Sequence, residues 1–275
     1  MSTAALAVLL VASMLAVGTT LRTADFRALA DRPVVPVLAV LANVVVVPGL
    51  AVVLASLAGL GADATFGIVS AAAAPGGGTG ALLTLHARGD LAVGAALQGV
   101  YAPLGLLSVP VWAWVAGYDV APAGLGGVAL VLGGLSGQVV PVAVGMWLRR
   151  RRPAMAQRVH QVSRRIADVL LAGVVLYFLV TGFTRLPEVG WATAWVIAVV
   201  VLACLSPALA PVFDPPAARR AVAMTTAVRN LSLALFLAAA AGPVVVLTLL
   251  AYGLLMYGLS VPAALLLART SAPVS

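Results

Sequence analysis

The sequence has no lysine and only one cysteine, and just 9% of its 275 residues carry a charge. Because Cys204 is the only cysteine, disulfide bonds within the chain and cysteine-based metal sites are excluded. The scarcity of charge and an apolar fraction of 63% exclude an ordinary soluble domain. The composition therefore predicts an all-α polytopic membrane protein, with residues 1–275 as one transmembrane domain.

Acidic side chains are scarce as well, and all eight fall in predicted connections or at the ends of spans. A proton relay or a carboxylate-bound cation inside the membrane is therefore not predicted. The sequence has no phosphate loop, nucleophile elbow or zinc-binding spacing, so we predict neither an enzyme nor a cofactor or metal site. The net charge of +8 comes from arginines in connections, which indicates membrane topology rather than nucleic-acid binding.

Apolar segments separated by polar connections predict about nine transmembrane helices, since one span takes roughly 20 residues. The first segment has no positively charged leading region, so we interpret it as a retained span rather than a cleaved signal. The predicted spans are residues 4–21, 34–57, 66–85, 91–115, 125–148, 169–183, 192–212, 221–240 and 244–267.

Arginines are distributed unequally between the two sides that this span count defines. One side holds 14 of the 16, including seven in a basic connection at residues 149–168 that is predicted to lie at the membrane surface. The other side holds only Arg185, and Arg229 lies within a span. Because positive charge marks the cytoplasmic side, we expect the N-terminus outside and the C-terminus in the cytoplasm.

The third predicted span contains the least helical sequence of the chain, AAAAPGGGTGA at residues 71–81. Pro75 lacks an amide hydrogen, and the glycines that follow it lose backbone entropy in a helix. Unpaired backbone at membrane depth is tolerated only against protein or a polar cavity. The pattern predicts a broken helix with free amides near Gly78 and Thr79 that suit an anion. The alternative, which is compatible with it, is that the glycines only permit a close helix crossing.

A second weak segment, residues 224–230, contains Arg229, the one charge predicted inside the membrane. Two interrupted helices in corresponding positions of two halves are typical of a secondary-transporter site. Arg229 could bind an anionic substrate directly, or take the electrostatic place of a bound cation. The alternative is that it snorkels to an interface or pairs with a carbonyl group.

Uncharged polar side chains within the spans are the remaining candidates, each equally consistent with an interhelical hydrogen bond. Asn43 and Asn230 are favoured because they lie next to helix-weakening sequence. His86 and His160 fall in or beside arginine-bearing connections and are predicted to be solvated or to face lipid headgroups. The other candidates are Gln98, Thr225, Thr226 and Ser232.

Three segments resemble the bile acid:sodium symporter family. Residues 75–90 (PGGGTGALLTLHARGD) and 228–235 (VRNLSLAL) are similar to the motifs of its two broken helices, and residues 14–33 resemble an early segment of the family. The resemblance implies two inverted repeats, two broken helices that cross, and uptake of organic anions coupled to sodium. Repeat one would cover about residues 1–117, without its first helix, and repeat two about residues 121–268.

At the positions where the family binds sodium, the resemblance implies that this chain has residues different from the family's ligands. Thr225 falls on a glutamate that bridges two sodium sites, Arg229 on a glutamine ligand, and Asn43 replaces a glutamine conservatively. Sodium prefers several oxygen ligands and is repelled by an arginine in the same cage, so intact sodium sites are not expected. The alternatives are a sodium-independent protein and one that keeps a single weak site for a sodium ion. The degenerate ion-site positions are Asn43, Gly80, Ala81, Gly94, Gln98, Thr225 and Thr226, besides Arg229.

The favoured hypothesis is a secondary transporter of small organic anions, of the carboxylate or sulfonate type, in a bacterial plasma (inner) membrane. Its partners would be the lipid bilayer and that anion. The alternatives are an exporter of a metabolite or oxyanion, and a membrane sensor or scaffold that keeps the fold without transporting. The predicted substrate-binding residues are Pro75, Gly76, Gly77, Gly78, Thr79, Arg229 and Asn230.

Overall fold

A computed structural model describes residues 3–118, 127–182, 186–238 and 241–270, and these residues are helical with short connections. The helices are α1 (Thr3–Gly18), α2 (Thr23–Ala30), α3 (Val34–Leu57, with a π-helical turn at Ala42–Val46), α4 (Ala62–Ala72), α5 (Gly80–His86), α6 (Leu91–Val115), α7 (Gly127–Arg151), α8 (Pro153–Gly182), α9 (Leu186–Leu205), α10 (Pro216–Ala227), α11 (Leu231–Ala238) and α12 (Pro243–Arg269).

Four helical segments of the described part of the chain are long and apolar enough to cross a membrane: Val34–Leu57, Leu91–Val115, Val189–Leu209 and Pro243–Arg269. Two shorter helices, Ala4–Gly18 and Ala62–Ala72, are apolar as well. The predicted all-α membrane architecture is therefore confirmed. The count of nine spans and the inverted repeats stay predictions.

Both interruptions predicted from the sequence are present. α4 ends at Ala72 and α5 begins at Gly80, because Pro75 and the glycines after it cannot continue the helix. α10 ends at Ala227 and α11 begins at Leu231. Between these last two helices Val228 is extended, with φ −88° and ψ 109°.

The π-helical turn of α3 surrounds Asn43 and is followed by Pro48. A proline has no N–H to donate to the carbonyl four residues earlier, which is that of Val44. The indole Nε1 of Trp112 on α6 donates to the Val44 oxygen instead, at 2.6 Å. Single π turns are frequent at functional sites, and this one places Asn43 in the protein interior.

The basic segment at residues 149–168 differs from the predicted connection. Arg149, Arg150 and Arg151 form the last turn of α7, and α8 begins at Pro153 and continues without a break to Gly182. Arginine is a good helix former, so a run of positive charge need not interrupt a helix. At about 1.5 Å per residue, the 30 residues of α8 span roughly 45 Å, which exceeds the hydrocarbon core of a bilayer.

Polar contacts group the connections at two ends of the molecule. At one end Arg32 and Asp90 lie 3.6 Å apart, the Asp90 amide donates to the Ala217 carbonyl, and Arg220 donates to the carbonyl of Arg88. At the other end Tyr118 donates to Asp63, and burial raises the pKa of Tyr118 to about 12, so that it remains a donor. The alternation of all the predicted spans stays a prediction, and Arg185 lies outside the described residues.

Candidate site between the two helix breaks

The two breaks lie against each other in the centre of the molecule and pair through their backbones. Pro75 and Arg229 form an isolated antiparallel bridge. The Asn230 amide donates to the Ala74 carbonyl at 2.7 Å, and the Gly77 amide donates to the Val228 carbonyl at 3.2 Å. Backbone groups that the breaks remove from helices therefore find partners in each other, as burial in a membrane protein requires.

This pairing depends on the absence of a side chain at Gly77. A Cβ atom added there would collide with the carbonyl oxygen of Arg229. Gly76 has φ +87°, a conformation that favours glycine, and an added Cβ would lie 2.9 Å from that of Tyr101. Gly78 differs, because the nearest atom to an added Cβ is the Val17 Cγ2, at 3.3 Å. The close-crossing interpretation therefore applies to Gly76 and Gly77, whereas Gly78 is exposed.

Asn43 is the centre of a buried polar cluster that joins three other elements. Its Nδ2 lies 2.9 Å from the Tyr101 hydroxyl of α6 and 2.9 Å from the Thr226 hydroxyl of α10. Its Oδ1 accepts a hydrogen bond of 2.9 Å from Nη1 of Arg229. Asn43 is completely buried, so each of these bonds replaces one that water would otherwise make.

Arg229 is the largest fully buried side chain of the described residues, with 1% of its surface exposed. Besides Asn43, its Nη1 donates to the carbonyl oxygen of Ala72 at 3.1 Å, and its Nη2 lies 3.0 Å from the Cys204 sulfur. The described ion pairs include none with Arg229, so neutral oxygen and sulfur atoms hold its charge. Its Nε has no partner in the described structure.

Cys204 is a member of this cluster that sequence analysis missed. It lies on α9, 25 residues before Arg229 in the chain, and is completely buried. Nothing in the local sequence signals the contact, because it arises from the packing of α9 on α10. We define the arginine cluster as Arg229, Asn43, Tyr101, Thr226, Cys204 and the carbonyl group of Ala72.

A second polar group lies beside the first break. The Nε2 of Gln98 on α6 donates to the carbonyl oxygen of Gly77, and Gly80 leaves the space into which the Gln98 amide fits. Gly94 makes room in the same way for the side chain of Thr84. The Thr225 hydroxyl instead bonds to the Ala221 carbonyl of its own helix, at 2.7 Å. Among the predicted ion-site positions, Gln98 and Gly80 are therefore neighbours, and the hydroxyl proton of Thr225 is used within its own helix.

A cavity of about 330 Å³ opens between α1, α8 and the two breaks. Most of its wall is apolar, and this volume is at the lower end of the range for small-molecule sites. Of the predicted residues, those lining it are Gly77, Gly78, Thr79, Ala81, Arg229, Asn230 and Ser232. Those that do not line it are Asn43, Pro75, Gly76, Gly80, Gly94, Gln98, Thr225 and Thr226.

Side chains that form hydrogen bonds between the breaks and neighbouring helices also lie in the cavity wall. The Thr79 hydroxyl bonds to that of Tyr257 on α12 at 2.7 Å. Asn230 caps α11, since its Oδ1 accepts from the Leu233 amide at 3.1 Å. The Arg229 guanidinium points elsewhere, because Asn43, Ala72 and Cys204, which hold it, are not lining residues.

α8 contributes His160, Arg164 and Asp168 to the cavity wall, a set that sequence analysis did not connect with a binding site. His160 was predicted to be solvated or to face headgroups. Its Nδ1 instead lies 3.2 Å from the Thr19 hydroxyl and 3.1 Å from the Ala16 carbonyl oxygen of α1. The four-residue spacing of the three side chains, which places them on one helix face, was the available signal.

Comparison with known proteins agrees with the resemblance found in the sequence. Residues 7–188, more than half of the chain, match the Sodium Bile acid symporter family. The chain belongs to this family. It is also 28% identical over 236 residues to a Homo sapiens protein described as Sodium/bile acid cotransporter 4. That similarity covers 80% of this chain and 52% of the relative, so the chain spans about half of the relative's length. Membership of this family agrees with the helical membrane architecture of the described residues.

Proposed function

We propose that the protein is a secondary transporter that binds a small organic anion in the cavity between its two breaks. The cavity supports this function, because the exposed Gly78 and the partly exposed Thr79 lie in a wall that is otherwise largely apolar. An anion with a carboxylate or sulfonate group and a compact apolar body fits that combination. Alternating access would follow from movement of one group of helices against the other.

We further propose that Arg229 takes the electrostatic place of a bound cation and does not touch the substrate. The observation that carries this proposal is its buried guanidinium, which donates to the oxygens of Asn43 and Ala72, away from the cavity wall. A fixed charge in this position stabilises the crossing permanently, whereas a metal ion would have to bind and leave. Direct contact of Arg229 with the anion is the less favoured alternative.

Sodium, which the family's name implies, does not fit the residues of this chain at the degenerate positions. The Asn43 and Ala72 oxygens already accept hydrogen bonds from Arg229, and the Gly77 carbonyl accepts one from Gln98. Gly80, Ala81 and Gly94 have no side-chain oxygen. N–H donors therefore stand where cation ligands would be needed, and a positive guanidinium opposes a second cation.

The helix order supports the proposed inverted repeats. α1, α3, the first broken pair and α6 would correspond to α8, α9, the second broken pair and α12. α7 would then have no counterpart, which agrees with a first repeat that lacks its first helix. In addition, α1 packs on α8 and α3 packs on α9, as equivalent elements of a two-fold arrangement do.

The test is flux into proteoliposomes made with the purified full chain. Labelled benzenesulfonate and phenylacetate are suitable probes, because each joins one anionic group to a compact apolar ring. Saturable uptake above that of protein-free vesicles is expected. Binding that raises the thermal unfolding midpoint without any flux would contradict transport and favour the sensor, and flux only out of vesicles would favour the exporter.

A further inference from the structure

The cavity contains one arginine whose guanidinium is not enclosed by the arginine cluster. Arg164 lies on α8, one helical turn after His160 and one turn before Asp168, and all three line the cavity. The Arg164 side chain is 54% exposed. An anion that enters the cavity therefore meets Arg164, whereas the guanidinium of Arg229 is already bonded to Asn43 and Ala72.

The contact between Arg164 and Asp168 is loose. The Arg164 Nε and the Asp168 Oδ2 are 3.6 Å apart, and the Asp168 side chain is 67% exposed. A helical pair four residues apart with the base first is also the weaker of the two orders. A carboxylate or sulfonate can accept two parallel hydrogen bonds from a guanidinium, so it competes well for Arg164.

We propose that Arg164 recognises the anionic group of the substrate, and that Asp168 is the internal anion which the substrate displaces. This inference rests on the proposed transport function and names the recognition residue of the same cavity. The apolar body of the substrate then lies along Val17, Leu82 and Leu171, which line the cavity on three different helices. The site selects a single negative charge, because Asp168 stays nearby and repels a second one.

A purely structural role for the pair leads to different results. If Arg164 and Asp168 only stabilised the exposed surface of α8, removing either charge would lower the unfolding midpoint slightly and leave substrate affinity unchanged. If Arg164 binds substrate, the two substitutions change affinity in opposite directions.

The experiment compares initial uptake rates of labelled benzenesulfonate by the full chain and its variants in proteoliposomes. Arg164→Gln should raise KM at least tenfold, and Arg164→Lys should give an intermediate value because it keeps the charge without the planar fork. Asp168→Asn should lower KM several-fold.

Arg165→Gln is the matched control, since Arg165 is also exposed on α8 but does not line the cavity. The KM of this variant should equal that of the wild type. Unlabelled phenylacetate should compete, and the neutral phenylacetamide should not.

Wild-type uptake with the same KM in Arg164→Gln and Arg165→Gln would overturn the inference while the proposed function stands. Equal competition by phenylacetamide would overturn it as well. Absence of both flux and ligand-induced thermal stabilisation in the wild type would contradict the proposed function and this inference together. Thermal unfolding of each variant separates misfolding from lost recognition, and Arg164→Lys remains informative where Arg164→Gln does not fold.

Discussion

At the scale of single residues, the feature that most needs an explanation is a positive charge in the interior that has no carboxylate partner among the described residues. Arg229 is 1% exposed, and the dipoles of Asn43, the Ala72 carbonyl and Cys204 offset part of the desolvation of its charge. Such an arrangement persists where the charge itself has a use. We assign to Arg229 the electrostatic role that a bound cation would otherwise have.

The substitution Arg229→Gln tests this electrostatic role. The shorter amide cannot reach all three acceptors, and a buried group left unsatisfied costs about 1–3 kcal/mol. We expect the free energy of unfolding to fall by about this amount and uptake without a cation gradient to fall at least tenfold. Arg220→Gln, which alters a surface hydrogen bond to the Arg88 carbonyl, should change stability by less than about 0.5 kcal/mol. Unchanged transport in Arg229→Gln would remove Arg229 from the mechanism.

Cys204 offers a second test of the same cluster. In Cys204→Ala the Arg229 Nη2 loses its acceptor in a buried position, so we expect a loss of about 1–3 kcal/mol in unfolding free energy. Cys204→Ser keeps an acceptor and should recover part of the loss. Denaturant titration of both variants in detergent measures the difference, and equal stability of the two would show that the thiol contributes only its volume.

Sequence alone identified Arg229 and Asn43 as candidates, because a charge within a span and an amide beside helix-weakening sequence are local signals. It could not identify Cys204, whose contact depends on how α9 packs, nor the direction in which the guanidinium points. Arg164 was missed for another reason. The positive charge around it is typical of a surface connection, and only the helix seen in the structure places Arg164, His160 and Asp168 on one face.

At the scale of secondary-structure elements, the two helix breaks are the main feature of the fold. The first break was predictable, because Pro75 has no backbone N–H to donate and the three consecutive glycines lack the conformational preference that a helix needs. The second had a weaker signal, and its extended Val228 is held by the pairing across the crossing. The basic run at residues 149–168, predicted to be a connection at the membrane surface, belongs to the helices α7 and α8, since arginine favours helices.

Adjacent glycines provide a matched pair of variants for the crossing. Gly77→Ala would drive a methyl group into the Arg229 carbonyl, and backbone cannot yield as a flexible side chain can. We expect a loss of about 1–3 kcal/mol in unfolding free energy and loss of transport. Gly78→Ala meets only the side chain of Val17, at 3.3 Å, and should fold normally. Thermal unfolding and uptake of the two proteins check this, and a stable, active Gly77→Ala would contradict the crossing geometry.

At the scale of the whole molecule, the distribution of arginine predicts which end faces the cytoplasm. The structure groups the connections at two ends, as described above, and the cavity opens beside the basic half of α8. With 14 of 16 arginines on that side, we expect it to be cytoplasmic, so the cavity would face inward.

Single introduced cysteines test this orientation without a background signal, since the native Cys204 is completely buried. Ala58→Cys, in the exposed connection between α3 and α4, should react with a membrane-impermeant maleimide in intact cells. Thr23→Cys and Thr270→Cys, exposed at the other end, should react only after permeabilisation. The reverse pattern would invert the topology and make the cavity outward-facing.

The most direct measurement of the central claim is uptake of labelled benzenesulfonate into wild-type proteoliposomes with an inward sodium gradient, an inward proton gradient or neither. The account predicts saturable uptake whose initial rate is the same with and without sodium, because Arg229 and Gln98 already occupy the oxygens that a sodium ion would need. Uptake that requires sodium would contradict it, since those oxygens would then have to leave their N–H donors and rebuild a cation site.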